Sequence, residues 1–124
     1  MENRITAIDE AIDKSVLPIE LTVKSGVEAE KYGIVFEDVK IGEIIQPRSF
    51  LPTTTSEAVA KTFTDSSKII YEIVLPKGSK GVYMNNVTKL KPHEKEIILP
   101  RNRKYKVIDK YEKNGYKYLK MEIE

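Results

Sequence analysis

"SKIIYEIVLPKGSKGVYMNN" (67–86) and, a short way on, "EKEIILPRNRKYKV" (94–107) decide how this chain folds. "KIIYEIVL" (68–75) is rich in β-branched and aromatic residues and is the strongest strand signal in the chain. "PKGSKG" (76–81) is a turn signal, because proline fixes φ and glycine accepts conformations other residues avoid. "VYMNN" (82–86) predicts a short strand and "EKEIILP" (94–100) another. Strand side chains alternate faces, so Glu94 and Glu96 project to one side and Lys95 to the other. Two carboxylates on one face suit chemistry in which one stabilises a developing cation and the other handles a proton. The same Glu-x-Glu pattern also suits a solvated strand edge, and spacing alone leaves both readings open.

Working outward, "KYKVIDKYEK-NG-YKYLKMEI" (104–123) reads as two strands around Asn114-Gly115, a strong hairpin signal. Tyr105, Tyr111, Tyr116 and Tyr118 in that hairpin are expected as core and cross-strand pairs. "SFLPTTTSEAVAKTF" (49–63) predicts a short strand and then a helix, with Ser56 as N-cap and Glu57 in the first turn. "ELTVKSGV" (20–27) alternates as a strand, and residues 28–49 read as loop and short pieces punctuated by Gly33, Gly42 and Pro47. Ile5, Ile8 and Ile12 fall on one face of a helix over roughly 4–14, closed by Pro18. One helix, a strand, a short second helix and about five more strands make an α+β domain with a mostly antiparallel sheet.

A chain of 124 residues is expected to form a single domain, residues 1–124, with a core that needs no staples. Hydrophobic content of 40% and charged content of 32% fit a globular protein. The sequence has no cysteine and one histidine, His93, which excludes disulfides and any thiolate or multi-histidine metal site. No apolar run reaches the ~20 residues that span a bilayer, and "MENRITAIDEAIDK" has no apolar signal core. A cytoplasmic protein is therefore expected, with leaderless export left open. Residues 1–60 carry 6 Lys/Arg against 11 Asp/Glu, and residues 61–124 carry 15 against 8. The basic second half suits either solvated strand faces or a phosphate-bearing ligand. No recognition motif accompanies the charge, so nucleic acid is not an expected partner.

The two opening stretches and the terminal hairpin together resemble the toxin-type mono-ADP-ribosyltransferase domain, which ends with the same succession of parts. "AIDEAIDKSVLPIELTVKSGV" (7–27) is similar to that family's last lobe helix and first core strand. "GEIIQPRSFLPTTTSEAVA" (42–60) is similar to the segment that carries its Ser-Thr-Ser motif. The resemblance covers most of residues 5–122. It implies a mostly antiparallel β-sandwich core with one N-terminal helix and one short internal helix, and NAD as co-substrate. It also implies transfer of ADP-ribose to a protein nucleophile through an oxocarbenium-like transition state. Within it, Glu96 would contact the ribose and stabilise the cation, and Glu94 would orient or deprotonate the acceptor. Residues 86–93, including His93, would face that acceptor. Thr53 and Thr54 would support the glutamate, and Phe50 would lie near the nicotinamide.

The chain departs from that pattern where NAD would be held. Lys24-Ser25-Gly26 stands where the family carries a phosphate-binding arginine before the glycine, and serine cannot supply a charged bidentate fork. Lys24 adjoins Ser25 but points to the opposite strand face. Pro52 takes the first position of the Ser-Thr-Ser motif, and Glu72 takes that of a second arginine. Arg48 and Lys68 are the candidates to replace the missing charge. The resemblance begins at the lobe's last helix, so the rest of the helical lobe is expected to be missing and the surface it would cover to self-associate or meet a partner. Three readings stay open: an active or weakly active transferase using Glu94 and Glu96, a non-catalytic binder of an ADP-ribose-like nucleotide, and an interaction or inhibitor module of a phage or mobile element.

Overall fold

The computed structural model describes residues 10, 12, 14, 16–83 and 96–124. Its strands are β1 (Leu21–Val27), β2 (Ile44–Ile45), β3 (Leu51–Thr54), β4 (Ile69–Leu75), β5 (Val82–Tyr83), β6 (Glu96–Leu99), β7 (Tyr105–Lys113) and β8 (Tyr116–Ile123). Helix α1 spans Glu57–Thr62, and Phe36–Asp38 form one 3-10 turn. Upstream, Glu10, Ile12 and Lys14 are helical and Ile12 is buried; Ile5 and Ile8, the other positions of the predicted helix face, lie outside the described residues. The domain is α+β and mostly antiparallel. The pairing of β4 with β8 is parallel, which the linear order of strands does not reveal.

Among the described residues all eight strands belong to one sheet in the order β2-β7-β8-β4-β1-β3-β6-β5. Strands β6 and β7 stand five intervals apart in it. In a flat sheet that is about 24 Å at ~4.8 Å per interval. Only residues 100–104 join them, a link that spans at most about 20–22 Å fully extended. Asn102, at φ 61°, bends the link further. The sheet is therefore curled, with its two halves facing across one core. The closure is hydrogen-bonded: Asn102 N–H donates to Pro47 O (2.8 Å), Gln46 Nε2 to Asn102 O (2.8 Å) and Arg103 Nη1 to Lys80 O (3.2 Å).

Strand alternation assigns the two faces. Val23 and Val27 of β1, Ile69, Tyr71, Ile73 and Leu75 of β4, Ile97 and Leu99 of β6, and Leu119 and Met121 of β8 fill the enclosed core. Lys24, Ile70, Glu72, Glu96 and Tyr118 fall on the outer face. The Pro-Lys-Gly-Ser turn seals the end of the core: Gly78 N–H donates to Leu17 O (2.9 Å), Leu17 N–H to Ser79 O (2.8 Å), and Leu17 is buried. Asn114 and Gly115 sit at φ 53° and 83°, the left-handed pair that a two-residue hairpin turn requires. Among the described residues no helix is long and apolar enough to cross a membrane.

Helix α1 lies on the outer face. Ser56 Oγ accepts from Val59 N–H (3.3 Å), the predicted cap. Ala60 is fully buried against β1 because Gly26 has no side chain there. A Cβ at Gly26 would meet Ala60 O at 2.2 Å and Phe63 Cβ at 2.9 Å. Gly26→Ala should therefore destabilise the fold by about 1–3 kcal/mol, measured by denaturant unfolding. A second expectation concerns alkaline pH. Burial pushes the Tyr71 and Tyr105 hydroxyls up to about 12 from 10.0. A raised folded value means stability that is complete below pH 10 and is lost as pH rises toward 12. Phenolate absorbance should thus show a late class of tyrosines titrating together with loss of the near-ultraviolet circular dichroism signal.

Candidate active-site cleft

Strand β3 lies between β1 and β6, and the registers place Lys24 opposite Thr54 and Thr54 opposite Glu96. These three side chains form one row on the outer face. Helix α1 rises beside the row and makes a wall. Between them is a cleft of about 370 Å³ lined by Lys24, Ser25, Gly26, Glu28, Pro52, Thr53, Thr54, Val59, Ala60, Phe63 and Glu96. Five of the residues singled out in sequence — Lys24, Ser25, Thr53, Thr54 and Glu96 — thus share one lining. Glu94, the loop 86–93 and His93 lie outside the described residues. Among the described residues no cluster of three or more His, Asp or Glu could hold a metal ion.

The hydroxyls do different work from one another. Ser25 is 6% exposed, and its Oγ donates to Pro52 O at 3.0 Å. Thr53 Oγ1 donates to Ile97 O at 2.8 Å, so it supports the glutamate strand through the backbone next to Glu96. Thr54 Oγ1 accepts from Ser56 N–H at 3.0 Å, joining β3 to the helix cap. Alternation does turn Lys24 away from Ser25, as expected. The face it turns to is the face of Thr54 and Glu96, so Lys24 is the cation of this cleft.

Phe50 and Arg48 do not line the cleft. Phe50 precedes β3, about 13 Å from Thr54 at the strand's rise per residue, and its half-buried ring has the Arg101 guanidinium 5.9 Å above it. Arg48 is exposed. Lys68 stands over the Tyr116 ring at 5.6 Å, on the terminal hairpin. The aromatic residue that does face the cleft is Phe63, the C-cap of α1, 57% exposed. Sequence reading missed it because a phenylalanine at a helix end looks like core. Its polar neighbours Thr62, Thr64 and Asp65 were the available signal. The loop after Phe63 is tied down: Glu30 N–H donates to Asp65 Oδ2 (2.8 Å), Ser67 N–H to Asp65 Oδ1 (3.0 Å), and Ser66 Oγ donates to the Glu30 carboxylate.

Behind the cleft, two tyrosines hold two carboxylates. Tyr111 and Tyr118 are cross-strand partners whose rings stack at 4.8 Å and 6°. The Tyr118 hydroxyl donates to Glu57 Oε1 of helix α1, and the Tyr111 hydroxyl to Glu72 Oε1 at 2.6 Å. The bond from Tyr118 holds the Glu57 carboxyl below its ordinary value, with Lys24 adding to the effect, and burial pushes both phenols up. The terminal tyrosines are thus cross-strand packing, as predicted, and also an anchor for the helix.

The sequence profile described as "ADP-ribosyltransferase exoenzyme" matches residues 1–124, and the chain belongs to that family. No curated protein sequence matches it. A C3-type ADP-ribosyltransferase of Clostridium botulinum superposes with a TM-score of 0.81 at 20% identity, over 97% of this chain and 68% of its own. The C3-type protein of S. aureus, solved with NAD, gives 0.81 at 16% identity, over 99% of this chain and 70% of its own. Exoenzyme S of Pseudomonas aeruginosa, solved bound to carba-NAD and human 14-3-3 protein beta, gives 0.72 at 17% identity, over 98% of this chain and 56% of its own. The fold is that of the toxin ADP-ribosyltransferases.

Thr53→Val keeps the shape of the side chain and leaves the Ile97 carbonyl without its hydroxyl donor. The expected cost is about 1 kcal/mol in denaturant unfolding, with a loosened β3–β6 pairing visible as faster amide exchange at Ile97.

Proposed function

We propose that this chain takes an NAD-type dinucleotide in the cleft between β1, β3, β6 and α1, and that its transferase chemistry, centred on Glu96, is weakened relative to the family. The carrying observation is the lining itself: Lys24, Ser25, Thr53, Thr54 and Glu96 converge on one cavity in a chain of this family. The S. aureus C3-type protein with NAD and exoenzyme S with carba-NAD have the same fold, which supports reading the cavity as the nucleotide site.

In this reading Glu96 stabilises the oxocarbenium-like ribose as nicotinamide departs, and Glu94 handles the acceptor's proton. The exposed ring of Phe63 offers the face on which an aromatic base stacks. Lys24 is the charge available to the diphosphate. A single ammonium in place of two arginine forks accounts for the weakening: each lost charge-assisted contact costs roughly 1.5–3 kcal/mol, so two reduce affinity by about two to four orders of magnitude. Ser25 supports the same conclusion, since its hydroxyl is already engaged by Pro52 O. The acceptor in this reading is a protein side chain. Val16 and Ile19, exposed on either side of the buried Leu17, are the apolar surface on which self-association or a partner would act.

Calorimetric titration with NAD and ADP-ribose, run beside a nicotinamide-release assay, tests the proposal. Binding is expected to be measurable and weak. Glu96→Ala should lower release by about 10²–10³-fold while leaving NAD affinity within a few-fold. Binding without release in the wild type would leave a nucleotide-binding protein and remove the catalytic part. Neither binding nor release would sink the proposal and favour the interaction module.

A further inference from the structure

Lys24 sits among carboxylates and pairs with none of them. It is half-buried in the cleft lining. Glu72 is its direct cross-strand neighbour on β4, a placement that puts Cβ atoms about 4.5–5.5 Å apart and the two charges within reach of each other. Glu57 faces it from helix α1, close enough to feel its charge. Glu28 and Glu96 line the same cavity. Among the described residues Lys24 nonetheless makes no ion pair and no hydrogen bond.

The reason lies on the next two strands, β8 and β7. Glu72 gives Oε1 to the Tyr111 hydroxyl, and Glu57 gives Oε1 to the Tyr118 hydroxyl. Holding one oxygen orients the whole planar group. The tyrosines are in turn fixed by stacking on each other and, for Tyr118, by full burial beside Ala60 and Ile70. We propose that Tyr111 and Tyr118 are positioning residues whose hydroxyls tether Glu72 and Glu57 away from Lys24, keeping its ammonium available to the phosphates of a bound dinucleotide. The inference rests on the nucleotide reading of the cleft and adds the device that maintains its cation. The tether prevents internal neutralisation, which a lone lysine between several carboxylates would otherwise undergo.

Phenylalanine at positions 111 and 118 keeps the stacked rings and removes only the hydroxyls. In Tyr111→Phe the freed Glu72 should pair with Lys24, and NAD affinity should fall about fivefold, the range of one modest ion pair. Adding Glu72→Gln to Tyr111→Phe should restore the affinity, because a neutral amide does not compete for the ammonium. A purely structural role for Tyr111 predicts further loss instead, and that result would overturn the proposal. A second readout needs no nucleotide: the rate at which a soluble succinimidyl ester acylates Lys24, followed by peptide mass spectrometry. It should drop about fivefold in Tyr111→Phe/Tyr118→Phe. An unchanged rate overturns the tether whatever NAD does. A wild type that binds no NAD, with Lys24 reactivity falling as stated, overturns the nucleotide reading and retains the tether.

Discussion

Everything at the site depends on where β3 is held. Its four residues are paired on one side to β1 and on the other to β6, and the bond from Thr53 Oγ1 to Ile97 O fastens the second pairing from within the core. Strand register is quantised, since a one-residue slip turns every side chain to the other face. With β3 fixed, Lys24, Thr54 and Glu96 have one arrangement available, a row across three strands. The helix completes the site only because Gly26 leaves room for Ala60. One bare backbone position therefore decides whether the sheet carries a cleft or a flat surface.

The electrostatics follow from that row. On the outer face, register pairs run Glu96, Thr54, Lys24, Glu72, Lys120, Asp109. Such a ladder of alternating sign would ordinarily neutralise itself pair by pair. Tyr111 engages the ladder at Glu72, and Tyr118 engages Glu57 on the helix beside it.

Much of the frame was legible in sequence because its signals are local. The strand of residues 69–75, the Pro-Lys-Gly-Ser turn, the Ser56 cap and the Asn114-Gly115 hairpin each follow from side-chain and backbone preferences over a few residues. That Phe63 and not Phe50 lines the cleft was not legible, because it depends on which end of β3 meets the helix wall. Arg48 and Lys68 were reasonable replacements by charge, yet the chain carries one to an exposed loop and the other to the ring of Tyr116.

By itself the sequence determined most of the elements, their order and the two faces of the strands, because hydrophobic period and turn chemistry act between near neighbours, and its motifs carried the resemblance to the family. Its departures from the resembled pattern at Ser25, Pro52 and Glu72 are visible in the same way. Only the tertiary structure decided that β4 lies parallel to β8, that the sheet curls on a link too short for a flat one, and that Lys24 faces the same space as Glu96. Those outcomes join residues tens of positions apart, and their energies come from burial and register that no local stretch contains.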